Sequence, residues 1–103
     1  MLADELDYVV GVDTHLDEHV LAVVAAPSGA VLARRAVRAD ARGYSAALRF
    51  AGEAAVGARV WAIEGTGSYG AGLTSVLGDG REVVVEVDRP HRHNRDSRGK
   101  TDR

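Results

Sequence analysis

Val60-Trp61-Ala62-Ile63-Glu64-Gly65-Thr66-Gly67-Ser68-Tyr69-Gly70 is the stretch whose reading decides the fold of this chain. Its opening residues are apolar, β-branched and aromatic and read as a strand, and the glycines that follow mark a tight turn before a helix. The strand therefore delivers a carboxylate, Glu64, to the mouth of a glycine-rich turn. An earlier apolar run, Tyr8-Val9-Val10-Gly11-Val12-Asp13, ends on an acid in the same way, and a third acid, Asp102, stands in the terminal Gly99-Lys100-Thr101-Asp102-Arg103. Hard oxygen ligands arriving from separate elements are what a divalent-metal phosphodiester site requires.

Outward from this stretch, the pattern changes period along the chain. Tyr8 to Asp13 predicts a first strand, and His19 to Ala26 a second, closed by the turn Pro27-Ser28-Gly29. Val31 to Arg38 returns as a third strand, which makes an antiparallel meander. From Gly43 the apolar positions Tyr44, Ala47, Leu48, Ala51 and Ala55 fall at helical spacing, predicting a helix from Ser45 to about Ala55 that Gly57 ends. Val60 to Glu64 is the fourth strand. Tyr69, Leu73, Val76 and Leu77 give the next helix one apolar face, Gly78-Asp79-Gly80 breaks it, and Glu82 to Val87 is a fifth strand stopped by Pro90.

At 103 residues the chain is one small domain or part of one. Hydrophobic residues make up 46% and charged residues 27%, which excludes disorder over most of the length. No run approaches the roughly 20 apolar residues that span a bilayer, and the acidic start is unlike a signal peptide, so a cytoplasmic protein with no membrane partner is expected. With no cysteine, thiolate metal sites and cysteine nucleophiles are excluded. The net charge of −2 is unevenly shared: residues 1–88, read as the domain body, carry −6, and residues 89–103 carry +4. Arg89, Arg92, Arg95, Arg98 and Lys100 in that basic segment suit contact with a nucleic-acid backbone, or equally a solvated tail against the acidic body.

Competing readings attach to single residues. Gly65, Gly67 and Gly70 satisfy G-x-G-x-x-G, but Glu64 would set a negative charge beside a bound pyrophosphate, and that fingerprint normally opens a fold. Of His15, His19, His91 and His93, the first two alone stand at i, i+4, and they straddle a loop and a strand start rather than one helix, so all four are expected to be exposed. Ser68 reads as a helix cap, Trp61 as packing, and Tyr69 as core in preference to a base-stacking surface.

A three-strand meander followed by helix, strand, helix, strand is the chain order of the ribonuclease-H-like fold, in which the fourth strand lies parallel beside the first. Gly11-Val12-Asp13-Thr14-His15, Glu64-Gly65-Thr66-Gly67-Ser68-Tyr69-Gly70-Ala71-Gly72-Leu73, Val87-Asp88-Arg89-Pro90 and Gly99-Lys100-Thr101-Asp102 together resemble the amino-terminal domain of the DEDD-type transposases of the insertion-sequence 110 family. The resemblance implies a RuvC-like catalytic domain whose Asp, Glu, Asp, Asp tetrad binds Mg²⁺ or Mn²⁺. Its partners would be DNA and a guide RNA, and the full-length protein would be a homo-oligomer. Asp13, Glu64 and Asp102 are assigned to the first three acids by that resemblance. The fourth would lie two positions beyond Arg103, and Leu16 stands where the family often has Lys. The chain is thus expected to be an amino-terminal part of a longer recombinase, one that binds nucleic acid weakly and cuts none by itself. Two other readings stand beside it: a junction-resolving nuclease, which shares the fold and the acids, and a nucleotide-binding module of the actin and sugar-kinase type, whose first strand and hairpin look alike.

Overall fold

The structure, a computed structural model, describes residues 6–88. Five strands and two helices follow in the order β1 (Tyr8–Thr14), β2 (Glu18–Ala25), β3 (Val31–Arg38), α1 (Ala41–Ala54), β4 (Arg59–Glu64), α2 (Ala71–Asp79) and β5 (Val84–Val87). The strands form one mixed sheet in the order β3-β2-β1-β4-β5. β1 to β3 are an antiparallel meander, whereas β4 runs parallel to β1 and β5 parallel to β4. Parallel neighbours need a crossover, and α1 and α2 supply the two. The expected meander and the helix, strand, helix, strand order that follows it are both present.

Alternation along the strands selects one buried face. Val10 and Val12 of β1, Leu21 and Val23 of β2, and Trp61 and Ile63 of β4 are cross-strand neighbours on that face. Ala47, Ala51 and Ala55 from the α1 segment and Leu73 and Leu77 of α2 complete the same cluster. The alanines let α1 approach closely. The opposite face of the sheet carries Val9, Gly11, Asp13, Val20, Ala22, Ala62 and Glu64, all of which keep some contact with solvent.

Element ends differ from the sequence reading for local reasons. α1 starts at Ala41 rather than Ser45, because Asp40 caps it by accepting from the Gly43 N–H at 2.9 Å. α2 starts at Ala71 with Gly70 as its cap residue, so Ser68 is not the cap. Its hydroxyl donates to the Gly65 carbonyl at 3.4 Å within the preceding turn. With the helix starting later, Tyr69 falls outside the core and is 53% exposed. β5 begins at Val84 because Glu82 is drawn inward: its carboxylate accepts from Arg59 at 2.8 and 3.0 Å and from the Trp61 indole at 2.8 Å.

His19 corrects the expectation of exposed histidines. It is fully buried and stacks on Tyr44, with ring centroids 6.1 Å apart and planes 13° from parallel. Neither ring nitrogen has a hydrogen-bond partner of good geometry among the described residues. Burial, with His15 acting in the same sense, holds the imidazole below its ordinary pKa, and the Glu18 main chain offsets this in part. The unfolded chain therefore takes up this proton more readily than the folded one. As pH falls through about 6.5, stability should drop by up to about 1.4 kcal/mol per unit until the folded pKa is reached. Melts of the chain and of His19→Leu between about pH 7.5 and 5 check this. The variant should lose this component of the pH dependence, and equal slopes for the two proteins would refute it.

Candidate metal centre

Asp13 is the penultimate residue of β1 and Glu64 the last of β4. The parallel register pairs Val12 with Ile63, so the two acids stand one step further along neighbouring strands, at the carboxyl end of both. Since Val12 and Ile63 face the core, alternation sends both acids to the other face. There they line one groove of about 360 Å³, with Gly11, Ala22 and Ala62 along its floor and Arg34 on its wall. This is the crevice at the carboxyl ends of parallel strands where open α/β sheets place ligands.

The surroundings hold these residues from several sides. Asp13 Oδ2 lies 3.2 Å from His15 Nε2, with both side chains about half exposed. Thr14, buried at 1% exposure, donates from Oγ1 to the Glu64 main-chain oxygen at 3.1 Å. Directly after Glu64 the chain turns through Gly65 at φ 64°, a left-handed conformation that favours glycine. The Gly65 carbonyl then accepts from the N–H groups of Ser68 and Gly70 at 2.9 and 2.8 Å. This closes the turn into a ring of main-chain bonds. The glycine-rich segment thus has a demonstrable structural duty, which is to fix where β4 ends and Glu64 begins to project.

A second cleft of about 290 Å³ opens at the same end of the sheet and includes Thr14, Gly65, Tyr69, Glu86 and Asp88. Sequence reasoning missed Thr14 as a tie between the acids. Counting alternation from Val12 puts its hydroxyl on the buried face, where it must find an acceptor, and that is the signal that was available. Asp88 is legible in the sequence only as part of the Val87-Asp88-Arg89-Pro90 motif, and nothing local marks it or Glu86 as the wall of this cleft.

Two carboxylates suit Mg²⁺ or Mn²⁺ better than a softer ion. Mg²⁺ commonly keeps several waters and takes only one or two carboxylates from its protein. No group of three or more His, Cys, Asp or Glu residues placed to hold a metal occurs among the described residues. Asp102 lies outside them, as do Arg89, Arg92, Arg95, Arg98 and Lys100. No helix among the described residues is long and apolar enough to cross a membrane.

No curated protein matches this chain significantly. The family model for the DEDD transposases of the insertion-sequence 110 type, described as transposase, matches residues 10–103. That span takes in Asp13, Glu64 and Asp102, the three acids of the resemblance. The chain belongs to this family of insertion-sequence transposases.

Proposed function

We propose that this chain is a ribonuclease-H-like, RuvC-like catalytic domain that acts on DNA phosphodiesters in insertion-sequence transposition, with Mg²⁺ or Mn²⁺ held by Asp13, Glu64 and Asp102. One observation carries the reading: within a transposase-family chain, Asp13 and Glu64 end adjacent parallel strands on the same face and line one groove. The meander order with β4 parallel beside β1 supports the fold assignment. A bound divalent ion would polarise the phosphodiester and stabilise charge on the departing oxygen. The chain's own part is to hold two carboxylates at fixed spacing, to keep the Gly65 to Gly70 turn rigid, and to present Tyr69 to a base. Tyr69 lines the cleft next to the acids and is exposed, which favours the stacking role over the core role. Arg89, Arg92, Arg95, Arg98 and Lys100 are assigned to phosphate contact. Guidance by an RNA, homo-oligomeric assembly and a cytoplasmic location rest on the family resemblance.

Clustered carboxylates repel until a cation neutralises them, so the ion should stabilise the folded chain by mass action. At 100 times its dissociation constant the gain is about 2.7 kcal/mol, which raises the melting temperature by roughly 10 °C or more for a domain of this size. Thermal melts with and without Mn²⁺ measure it. Asp13→Asn should abolish the shift, and an unchanged shift in that variant would place the ion elsewhere and withdraw the assignment.

The stacking role has its own check. Tyr69→Ala should weaken binding of a single-stranded oligonucleotide by about 1–3 kcal/mol, and Tyr69→Phe should keep most of it. Equal affinities for all three proteins would return Tyr69 to a surface residue without that role.

A further inference from the structure

The parallel register of β1 with β4 runs to Val12 and Ile63. One step beyond it the strand ends carry Asp13 and Glu64, and repulsion between like charges favours splaying there. Thr14 comes next in the chain, and alternation turns it to the helix-covered face, where it is 1% exposed. From that side its Oγ1 donates to the main-chain oxygen of Glu64 at 3.1 Å. The bond joins the residue after one carboxylate to the residue that bears the other. Thr14 is itself held from the far side, because it pairs with His19 in the β1–β2 hairpin and the following His15 N–H donates to the Glu18 carbonyl at 3.0 Å. Past Glu64 the chain turns away at Gly65, so strand pairing cannot continue to fix the spacing. Valine would fill this buried strand position equally well by shape, so packing alone does not account for a hydroxyl there.

We infer that Thr14 is a positioning residue: its hydroxyl sets the separation of the Asp13 and Glu64 carboxylates and so tunes their affinity for a divalent cation. This rests on the reading of those two acids as cation ligands. Groups that orient metal ligands from behind typically change affinity by roughly 10- to 100-fold when removed.

The test is titration of the purified chain with Mn²⁺, followed calorimetrically and by the Mn²⁺ paramagnetic signal, well below the melting temperature. Thr14→Val, which keeps the shape and removes the donor, should bind Mn²⁺ roughly 10- to 100-fold more weakly. Thr14→Ser, which keeps the donor, should bind as the parent does, and Asp13→Asn should not bind. Val23→Ala, a core change in β2 away from the acids, should lower the melting temperature with no change in affinity, which separates positioning from general destabilisation. Parent-like affinity in Thr14→Val, with binding lost in Asp13→Asn, would overturn the role of Thr14 and leave the cation site standing. Parent-like affinity in Asp13→Asn would overturn the cation site and this inference with it. Should Thr14→Val not fold, the serine variant decides, since a folded Thr14→Ser with weakened affinity excludes the hydroxyl as the determinant.

Discussion

Replacing Glu82 by leucine is expected to cost about 3–5 kcal/mol of folding stability, the loss typical when one partner of a mostly buried ion pair is removed and the other is left charged. Arg59 and Glu82 retain only 20% and 14% side-chain exposure, and their contact at 2.8 Å is one of a set. Arg59 also donates to the Ala55 carbonyl at 2.8 Å, and Trp61 gives its indole N–H to Glu82 at 2.8 Å. Removing the carboxylate therefore orphans a guanidinium edge and an indole N–H together. A solvent-exposed pair would be worth only about 0–1 kcal/mol, so urea unfolding separates the two cases cleanly. Exchanging both partners, Arg59→Met with Glu82→Leu, should recover most of the loss, because no uncompensated charge then remains. The arginine, followed by the indole hydrogen bond, holds the Glu82 carboxyl below its ordinary range against the opposing effect of burial. Its contribution is present near neutral pH and is lost as pH falls through the lowered folded pKa, a more acidic window than that of His19. A loss below about 1 kcal/mol for Glu82→Leu would show that the network does not anchor β4 to α1 and to the approach of β5.

That anchor lies at the opposite end of β4 from Glu64, and the contrast explains what the sequence made legible. Apolar alternation and terminal acids placed Asp13 and Glu64 at strand ends without any tertiary information, since both signals are local. The parallel pairing of β4 with β1 was reachable by counting elements, because a helix between two strands is the usual crossover. Residues whose role depends on a long-range neighbour escaped. Thr14 matters through a bond to a residue 50 positions away, and His19 is buried because the hairpin register sets it beside Thr14 under Tyr44. Tyr69 was misplaced by two residues of helix start, enough to turn it from the core to the surface. Asp102 and the basic residues from Arg89 to Lys100 lie outside the described residues, so their roles stay as proposed.

Gly43 was read as the point where strand periodicity gives way to helix, yet it lies inside α1, and replacing it with valine should cost about 3 kcal/mol or more. A Cβ there would collide with the Arg38 carbonyl oxygen and stand 2.6 Å from its carbon and 2.8 Å from its nitrogen. These are backbone atoms, which cannot rotate aside as a side chain would. Glycine inside a helix ordinarily costs about 1 kcal/mol relative to alanine, so the position accepts that penalty for close approach of α1 to β3. Gly43 also gives its N–H to the Asp40 cap, so a displaced helix start would lose the cap as well. Gly52, in the same helix with nothing within 4 Å of its would-be Cβ, is the control: Gly52→Ala should stabilise by about 0.5–1 kcal/mol. The consequence reaches the site, because α1 is the crossover that brings β4 beside β1. Chemical unfolding and Mn²⁺-dependent melts should therefore show Gly43→Val losing stability and metal-induced stabilisation together, while Gly52→Ala keeps the metal response. If Gly43→Val were as stable as the parent, α1 would not be seated on Arg38 as described, and the placement of Glu64 beside Asp13 would need another cause.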